Sequence, residues 1–370
     1  MENILFVQIQ PFGLLDGSEL LSISVRFGDL ARMVLLSILL IPLGSAHGSE
    51  LWESRTVNSW FSSKSIWNIP VGSDATFEDV NSPATMMLHN ENAGGGAKSY
   101  AWIAADSVPV YQAKSTDPQF VWKFERRSAT GPWINGGPYS NGTFELRAPE
   151  NLQFTGFDQY AIVITEDGKF AYEVWKGEKD SRHQINVRYV AMNKLDGTGI
   201  PALRGRSEGI RAFGGSLLGG LILCKEMEER NIPHGIAMLL SPSQLRAGKT
   251  MDDQLVWPAS STDNSGHNSY SGLIPMGALV AIPKTVDLDK LDLSPDGKTL
   301  ARAYQLYGGY VTDAAHNTMI LANLELGCEN TYVTHLQADK RKILAQLRVV
   351  SNNSSATPGG PGERLIVDKR

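Results

Sequence analysis

The stretch Gly214–Leu240, GGSLLGGLILCKEMEERNIPHGIAMLL, changes character within one short span. Gly214, Gly215, Gly219 and Gly220 bracket Ser216-Leu217-Leu218, a spacing that suits close backbone packing. Leu221–Arg230 carries its charges on one side and predicts an amphipathic helix. Asn231 can take the left-handed turn at its end, and Pro233 prevents continuation. His234–Leu240 then reads as a buried strand that opens on a histidine. A helix feeding a buried strand places this stretch at the centre of a β-rich core.

Outward from it, the chain is a series of short strands. Gln159–Thr165 and Lys169–Trp175 flank Glu166-Asp167-Gly168, and Asp-Gly between two β-rich runs predicts a hairpin. On the second strand Phe170, Tyr172 and Val174 share one face; Ala171, Glu173 and Trp175 share the other. Tyr100–Ile103, Val108–Tyr111, Phe120–Phe124, Gln184–Met192, Met276–Ile282 and Tyr310–Asp313 read as further strands. Ser294 caps a helix with Pro295 in its first turn, running to about Tyr307. Gln337–Val350 reads as a last amphipathic helix. About ten strands against about three helices predict a mainly β fold, an antiparallel β-sandwich or jelly-roll-like architecture with helical decoration. Residues 47–350 form the single β-rich domain of this reading, and 351–370, rich in Asn, Ser, Pro and Gly, a flexible tail.

The N-terminus reads differently. Val34–Leu43, VLLSILLIPL, has the length of a signal-peptide core and is short for a membrane span. Gly44-Ser45-Ala46 follows with the small residues a signal peptidase reads. Residues 1–46 are therefore expected to be an N-terminal extension and signal peptide, with translation starting at Met33 or with a long leader carrying Arg26 and Arg32. Either gives a secreted or periplasmic product with no stable membrane insertion after cleavage.

Composition narrows the partners. In a chain of 370 residues with 20% charged residues and a net charge of -5, nothing favours a phosphate backbone, so nucleic acid is excluded as a partner. Cys224 and Cys328 either bridge in an oxidising compartment or remain buried thiols. Asn141-Gly142-Thr143 is a glycosylation sequon, meaningful in a glycosylating host.

Several segments together resemble a broad family of secreted, mostly bacterial proteins with unassigned activity. They are FSSKSIWNIP at Phe61–Pro70, GGSLLGGLI at Gly214–Ile222, IPHGIAM at Ile232–Met238, VWPASSTD at Val256–Asp263, ARAYQLYGGYVTDAA at Ala301–Ala315 and ILAQLRVVSNN at Ile343–Asn353. Members commonly read His-Ala where this chain has His234-Gly235. The resemblance implies export and one β-rich domain, and it carries over no catalytic residues.

The sequence holds no GxSxG elbow, HExxH, P-loop or dinucleotide fingerprint. Its histidines lack tight metal-ligand spacing, so no metal or cofactor is expected. Ser216 sits in a run whose spacing is wrong for a nucleophile elbow. Titratable groups on apolar strands remain, and these cost free energy unless paired. They are His234, Glu173 with Tyr172 beside it, Asp313 and Arg188, with His316 just beyond Asp313. If they converge on a cleft, a lyase acting on uronic acids would use His234 or Tyr172 as base and Arg188 to hold the carboxylate. A glycoside hydrolase would use Glu173 and Asp313 as its pair. The lyase is preferred for its His and Tyr. Each group alone also fits a satisfied core residue. A third reading is non-catalytic: a glycan-binding β-sandwich with Trp133, Tyr139 and Tyr270 as an aromatic platform. In all three the expected partner is a polysaccharide or cell-wall glycan.

Overall fold

The structure is a computed structural model. It describes residues 60–90, 101–104, 107–128, 142–181, 183–263, 269–316 and 318–364, and the strand pair 10–11 and 21–22. The chain divides into two units, Met1–Gly44 and Ser45–Arg370. In the first, β1 (Gln10–Pro11) pairs antiparallel with β2 (Leu21–Ser22). The apolar run 34–43 and the cleavage region lie outside the described residues.

The second unit is mainly β and sandwich-like, built on two six-stranded sheets. The first contains β3 (Ala101–Ile103), β10 (Ile236–Leu240), β11 (Leu279–Ala281), β12 (Gly309–Ala314), β13 (Met319–Ala322) and β14 (Arg348–Val349), in the order β14-β11-β12-β10-β13-β3. The second contains β4 (Val110–Gln112), β5 (Gln119–Arg127), β6 (Gly142–Arg147), β7 (Ala161–Ile164), β8 (Phe170–Ser181) and β9 (Gln184–Lys194), in the order β4-β7-β8-β9-β5-β6. Both are mixed where the sequence predicts antiparallel pairing. β10 runs parallel to β12, and β5 parallel to β9. The long connection from β10 to β12, which includes a helix, permits a parallel pairing that a tight turn cannot.

The predicted hairpin is present as β7–β8, with Ala161 opposite Val174 and Gly168 at φ 68° in its turn. Strand β8 separates its faces as the alternation predicts. Tyr172 and Val174 join an aromatic core with Trp122, Phe124 and Phe144, whereas Ala171 faces the main core. Phe144 on β6 stacks on Tyr172 on β8, with ring centroids 5.3 Å apart, although two strands lie between them in the sheet. The second sheet therefore curls around its own aromatic core.

Short helices complete the unit: α1 (Pro83–His89), α2 (Cys224–Glu228) and α3 (Met251–Gln254). Two longer ones are α4 (Pro295–Leu306) and α5 (Asn330–Leu344). Ser294 Oγ caps α4 by accepting from Gly297 N, as predicted. Helix α2 is shorter than Leu221–Arg230. Ile222 bridges Leu324 and Leu223 is extended, so the first residues of the predicted helix belong to the sheet side of the core. Arg230, rather than Asn231, takes the left-handed turn. Helix α5 likewise starts and ends earlier than Gln337–Val350, because Arg348–Val349 pairs with β11. Residues 351–364, expected as a flexible tail, are hydrogen-bonded to residues 70–76 through Ser351 N to Thr76 O and Gly72 N to Gly359 O.

The glycines of Gly214–Leu240 work by close approach. A Cβ on Gly219 would lie 2.2 Å from Trp67 Nε1, and Gly220, at φ 74°, rests against Ala237 N. Trp67 is buried and meets Phe213 and Tyr310 edge to face. Cys224 and Cys328 form a disulfide, which decides between the two alternatives left open by the sequence.

Candidate functional site

Two buried carboxylates grip the loop that enters the glycine cluster. Glu173 on β8 is fully buried. Its Oε2 accepts from Leu217 N at 2.8 Å and Ile210 N at 3.4 Å. Its Oε1 accepts from Ser216 Oγ and from Leu218 N at 3.3 Å. Burial pushes the carboxyl up, and these donors pull it back down. Asp313 on β12 accepts from Ala212 N at 2.5 Å and from Arg211 Nη1 at 2.9 Å. Glu173 and Asp313 thus both bind the 210–218 loop, but the oxygens of Glu173 are consumed by the fold. Ser216 is fully buried, and its oxygen also accepts from Leu218 N at 3.1 Å, which leaves it no role as a nucleophile.

His234 stands apart from this pair. Its Nδ1 lies 2.8 Å from Gly235 O and its Nε2 3.1 Å from Glu226 Oε2. Burial opposes a charge on the ring, but the Glu226 carboxylate and the Gly235 carbonyl outweigh it and raise the imidazole above its usual range. Glu226 also accepts from Leu223 N at 2.8 Å, closing the first turn of α2. His234 is therefore a satisfied core residue. Nearby, Glu325, which follows β13, accepts from Cys224 N at the start of α2 at 3.0 Å, and burial together with Glu226 and Glu228 pushes it up to about 7.

The other predicted residues are also redistributed. Tyr172 lies on the opposite face of β8 from Glu173, and burial lifts its phenol to about 12, too high for a base at neutral pH. Arg188 is on the solvent face of β9, 3.6 Å from Glu125, and does not reach Glu173 or Asp313. Tyr270 cannot act as a platform, because its ring is buried and its hydroxyl donates to Asp263 Oδ2 at 2.5 Å. His316 is exposed beyond the end of β12. Trp133 and Tyr139 lie outside the described residues.

What gathers at Asp313 is a different group. Between Met238 and Leu239 the β10–β12 register slips, so that Met238 faces Val311 and Leu239 faces Asp313. The extra residue, Thr312, forms a bulge, the device by which strands re-aim a side chain beside a site. Its carbonyl accepts from Phe213 N at 2.9 Å, and its hydroxyl donates to Met238 O at 3.2 Å. The Asp313 side chain is 13% exposed and that of Arg211 1%. Around them lie Asp263, Tyr270, Tyr160 and Asp158. Asp263 belongs to VWPASSTD, and its neighbour Ser261 donates to Ala212 O at 2.6 Å. Asp158, whose side chain is 30% exposed, accepts from Tyr160 Oη at 3.0 Å and faces Lys176 at 3.4 Å.

The electrostatics of this group separate its members. Burial pushes the Asp313 carboxyl up to about 6; Asp263 adds to the shift, and Arg211 opposes it. Burial also raises Asp263, against the hydrogen bond from Tyr270. Tyr160 and Tyr270 are held well above the usual phenol range by burial and by the charges of Asp313, Asp158 and Asp263. The site therefore offers a carboxyl able to hold a proton in mildly acidic solution, further carboxylates, and two phenols that keep their protons. Among the described residues no group of His, Cys, Asp and Glu has the arrangement of a metal site.

Sequence reasoning misses Arg211, Asp158, Tyr160 and Asp263. The only local signal is a charged residue at the margin of an apolar run, as in IRAFGG and SSTD, and it does not say which margins meet. No protein-family model matches the chain, and searches of curated proteins and of solved structures return no match.

Proposed function

We propose that the protein is an exported glycan-cleaving enzyme that works by hydrolysis, with Asp313 as the proton donor and Asp158 as the second carboxylate. The observation that carries this reading is the pair's contrast in surroundings. Asp313 is nearly enclosed on a bulged strand, whereas Asp158 is the more open and faces Lys176. Hydrolysis of a glycosidic bond needs one carboxyl that gives a proton to the leaving oxygen and one carboxylate that activates water or attacks. This reverses the order expected from sequence. A phenol serves as the base of an elimination only when its pKa is lowered toward neutrality, and the phenols beside Asp313 are raised. Export is supported by the apolar run with its small-residue flank and by the Cys224–Cys328 disulfide, which suits an oxidising compartment. The resemblance to secreted proteins accords with it.

Incubation with a panel of neutral glycans and polyuronides tests the reading. New reducing ends without the ultraviolet absorbance of an unsaturated uronide are expected. Asp313→Asn and Asp158→Asn should each lower the rate by about 10²–10⁴-fold while the protein stays folded. Release of unsaturated products would replace hydrolysis with elimination. Binding without any product would leave the non-catalytic glycan-binding reading.

A further inference from the structure

A cleft of about 460 Å3 lies on the solvent face of the curled sheet, beside Asp158. Its floor is set by strand register. Arg188 on β9 lies 3.6 Å from Glu125 on β5 and shares the Trp175 ring with Lys176, and two residues along Asn186 lies between Glu178 and Lys123. Gln159 closes one side, next in the chain to Asp158. The loop that carries both is tied to β8, since Lys176 N donates to Asp158 O at 2.8 Å and Gly177 N to Gln159 O at 3.1 Å. Two aromatic rings accompany the polar floor. Phe157 is 85% exposed, with Lys176 Nζ 4.3 Å from its ring centre. Trp175 lies under both Lys176 and Arg188, each 5.7 Å from its centre.

We infer that this cleft binds the non-reacting sugars of a neutral glycan chain whose scissile bond lies at Asp313. The inference rests on the hydrolytic reading for the position of the bond, but its own evidence is the cleft. Lining cations Lys123, Lys176 and Arg188 face lining anions Glu125 and Glu178, and Lys176 is also paired with Asp158, 3.4 Å away at the margin, so little unpaired positive charge remains to draw in a polyuronide. Neighbouring groups of both signs donate to and accept from the same sugar hydroxyl, which a uniformly basic groove cannot do. The exposed ring of Phe157 suits the apolar face of a pyranose, and the half-buried Trp175 backs the Lys176 and Arg188 heads that line the cleft. The ion pair Arg188–Glu125, 3.6 Å long with both side chains more than half exposed, gives up little when a hydroxyl takes its place.

The test uses the full chain bearing Asp313→Asn, so that bound ligand persists. Calorimetric titration with neutral hexasaccharides of several linkages and with oligogalacturonate should give binding of a neutral chain that is unchanged by added salt, because a neutral ligand has no charge to screen. Arg188→Ala and Trp175→Ala, each added singly, should weaken it by about tenfold or more. Preference for oligogalacturonate, salt-sensitive binding, binding unchanged in both variants, or no binding of any neutral chain overturns the inference. A neutral chain that binds in this way but is not cut by the unsubstituted protein leaves the cleft standing and removes the hydrolytic reading. Cleavage of a neutral chain at unaltered KM in both cleft variants removes the cleft and leaves the reading.

Discussion

Replacing Glu173 by Gln distinguishes a structural carboxylate from a catalytic one. The wild-type group satisfies four donors: Ser216 Oγ, Leu217 N, Leu218 N and Ile210 N. A glutamine can keep its carbonyl on only one side. Its better orientation leaves the carbonyl on Leu217 N, the shorter of the two backbone bonds on that side, and turns the NH2 toward Ser216. The Ser216 oxygen already accepts from Leu218 N and Gly219 N, so it is a poor acceptor for a further donor. The variant therefore loses a charge-assisted bond from Ser216 and strands its own NH2 in a dry site, facing Leu218 N, which keeps Ser216 Oγ as its acceptor. Such losses cost about 1.5–3 kcal/mol for the charged bond and about 1–3 kcal/mol for a stranded buried donor. Relief from burying a charge offsets part of this, since burial raises Glu173. The net expectation is a loss of about 2–4 kcal/mol. Urea unfolding followed by tryptophan fluorescence should show a lower midpoint with an unchanged slope. Glycan cleavage per folded molecule should change little. A variant as stable as the wild type but inactive would refute the reasoning and return Glu173 to the catalytic pair.

Three further outcomes follow from the same contacts. Asp313 has its carboxyl raised from 3.8 to about 6, so its ionisation penalises the folded state as pH climbs through that window. Measured from pH 4 to 7, the stability of Asp313→Asn should gain on the wild type by about 1.4 kcal/mol per unit within the window, and a constant difference would sink the assignment. His234 is raised, so the stability its charge supplies is complete below the unfolded imidazole value, about 6.5, and is lost as pH rises through the folded one. His234→Asn should therefore trail the wild type most at low pH in thermal melts, with the gap closing above that range; a gap that widens with pH would contradict the Glu226 pairing. Reducing the Cys224–Cys328 disulfide, which spans 104 residues of sequence, should lower stability by about 4–5 kcal/mol on loop-entropy grounds, read as a guanidinium midpoint shift. Coincident curves with and without reductant would show the bridge to be unformed in solution.

The sequence alone determined whatever depends on neighbours along the chain. Alternation gave the two faces of β8 because successive strand residues point to opposite sides. Asp167-Gly168 specified a hairpin, and Ser294-Pro295 a helix start, because caps and turns are satisfied within a few residues. The glycines of Gly214–Leu240 were legible as sites of close approach, though not as partners of Trp67. What only the tertiary structure decided is which distant groups meet. Glu173 and Asp313 hold the same loop from different sheets, yet Glu173 is fully buried among four donors whereas Asp313 lies on a bulge and keeps 13% of its side chain exposed. His234 was drawn to Glu226, eight residues earlier, through the turn that joins α2 to β10. The parallel pairing of β10 with β12 carried Asp313 to Arg211, Asp263 and Asp158. No periodicity encodes that meeting, because it is fixed by sheet order and by a one-residue slip in register.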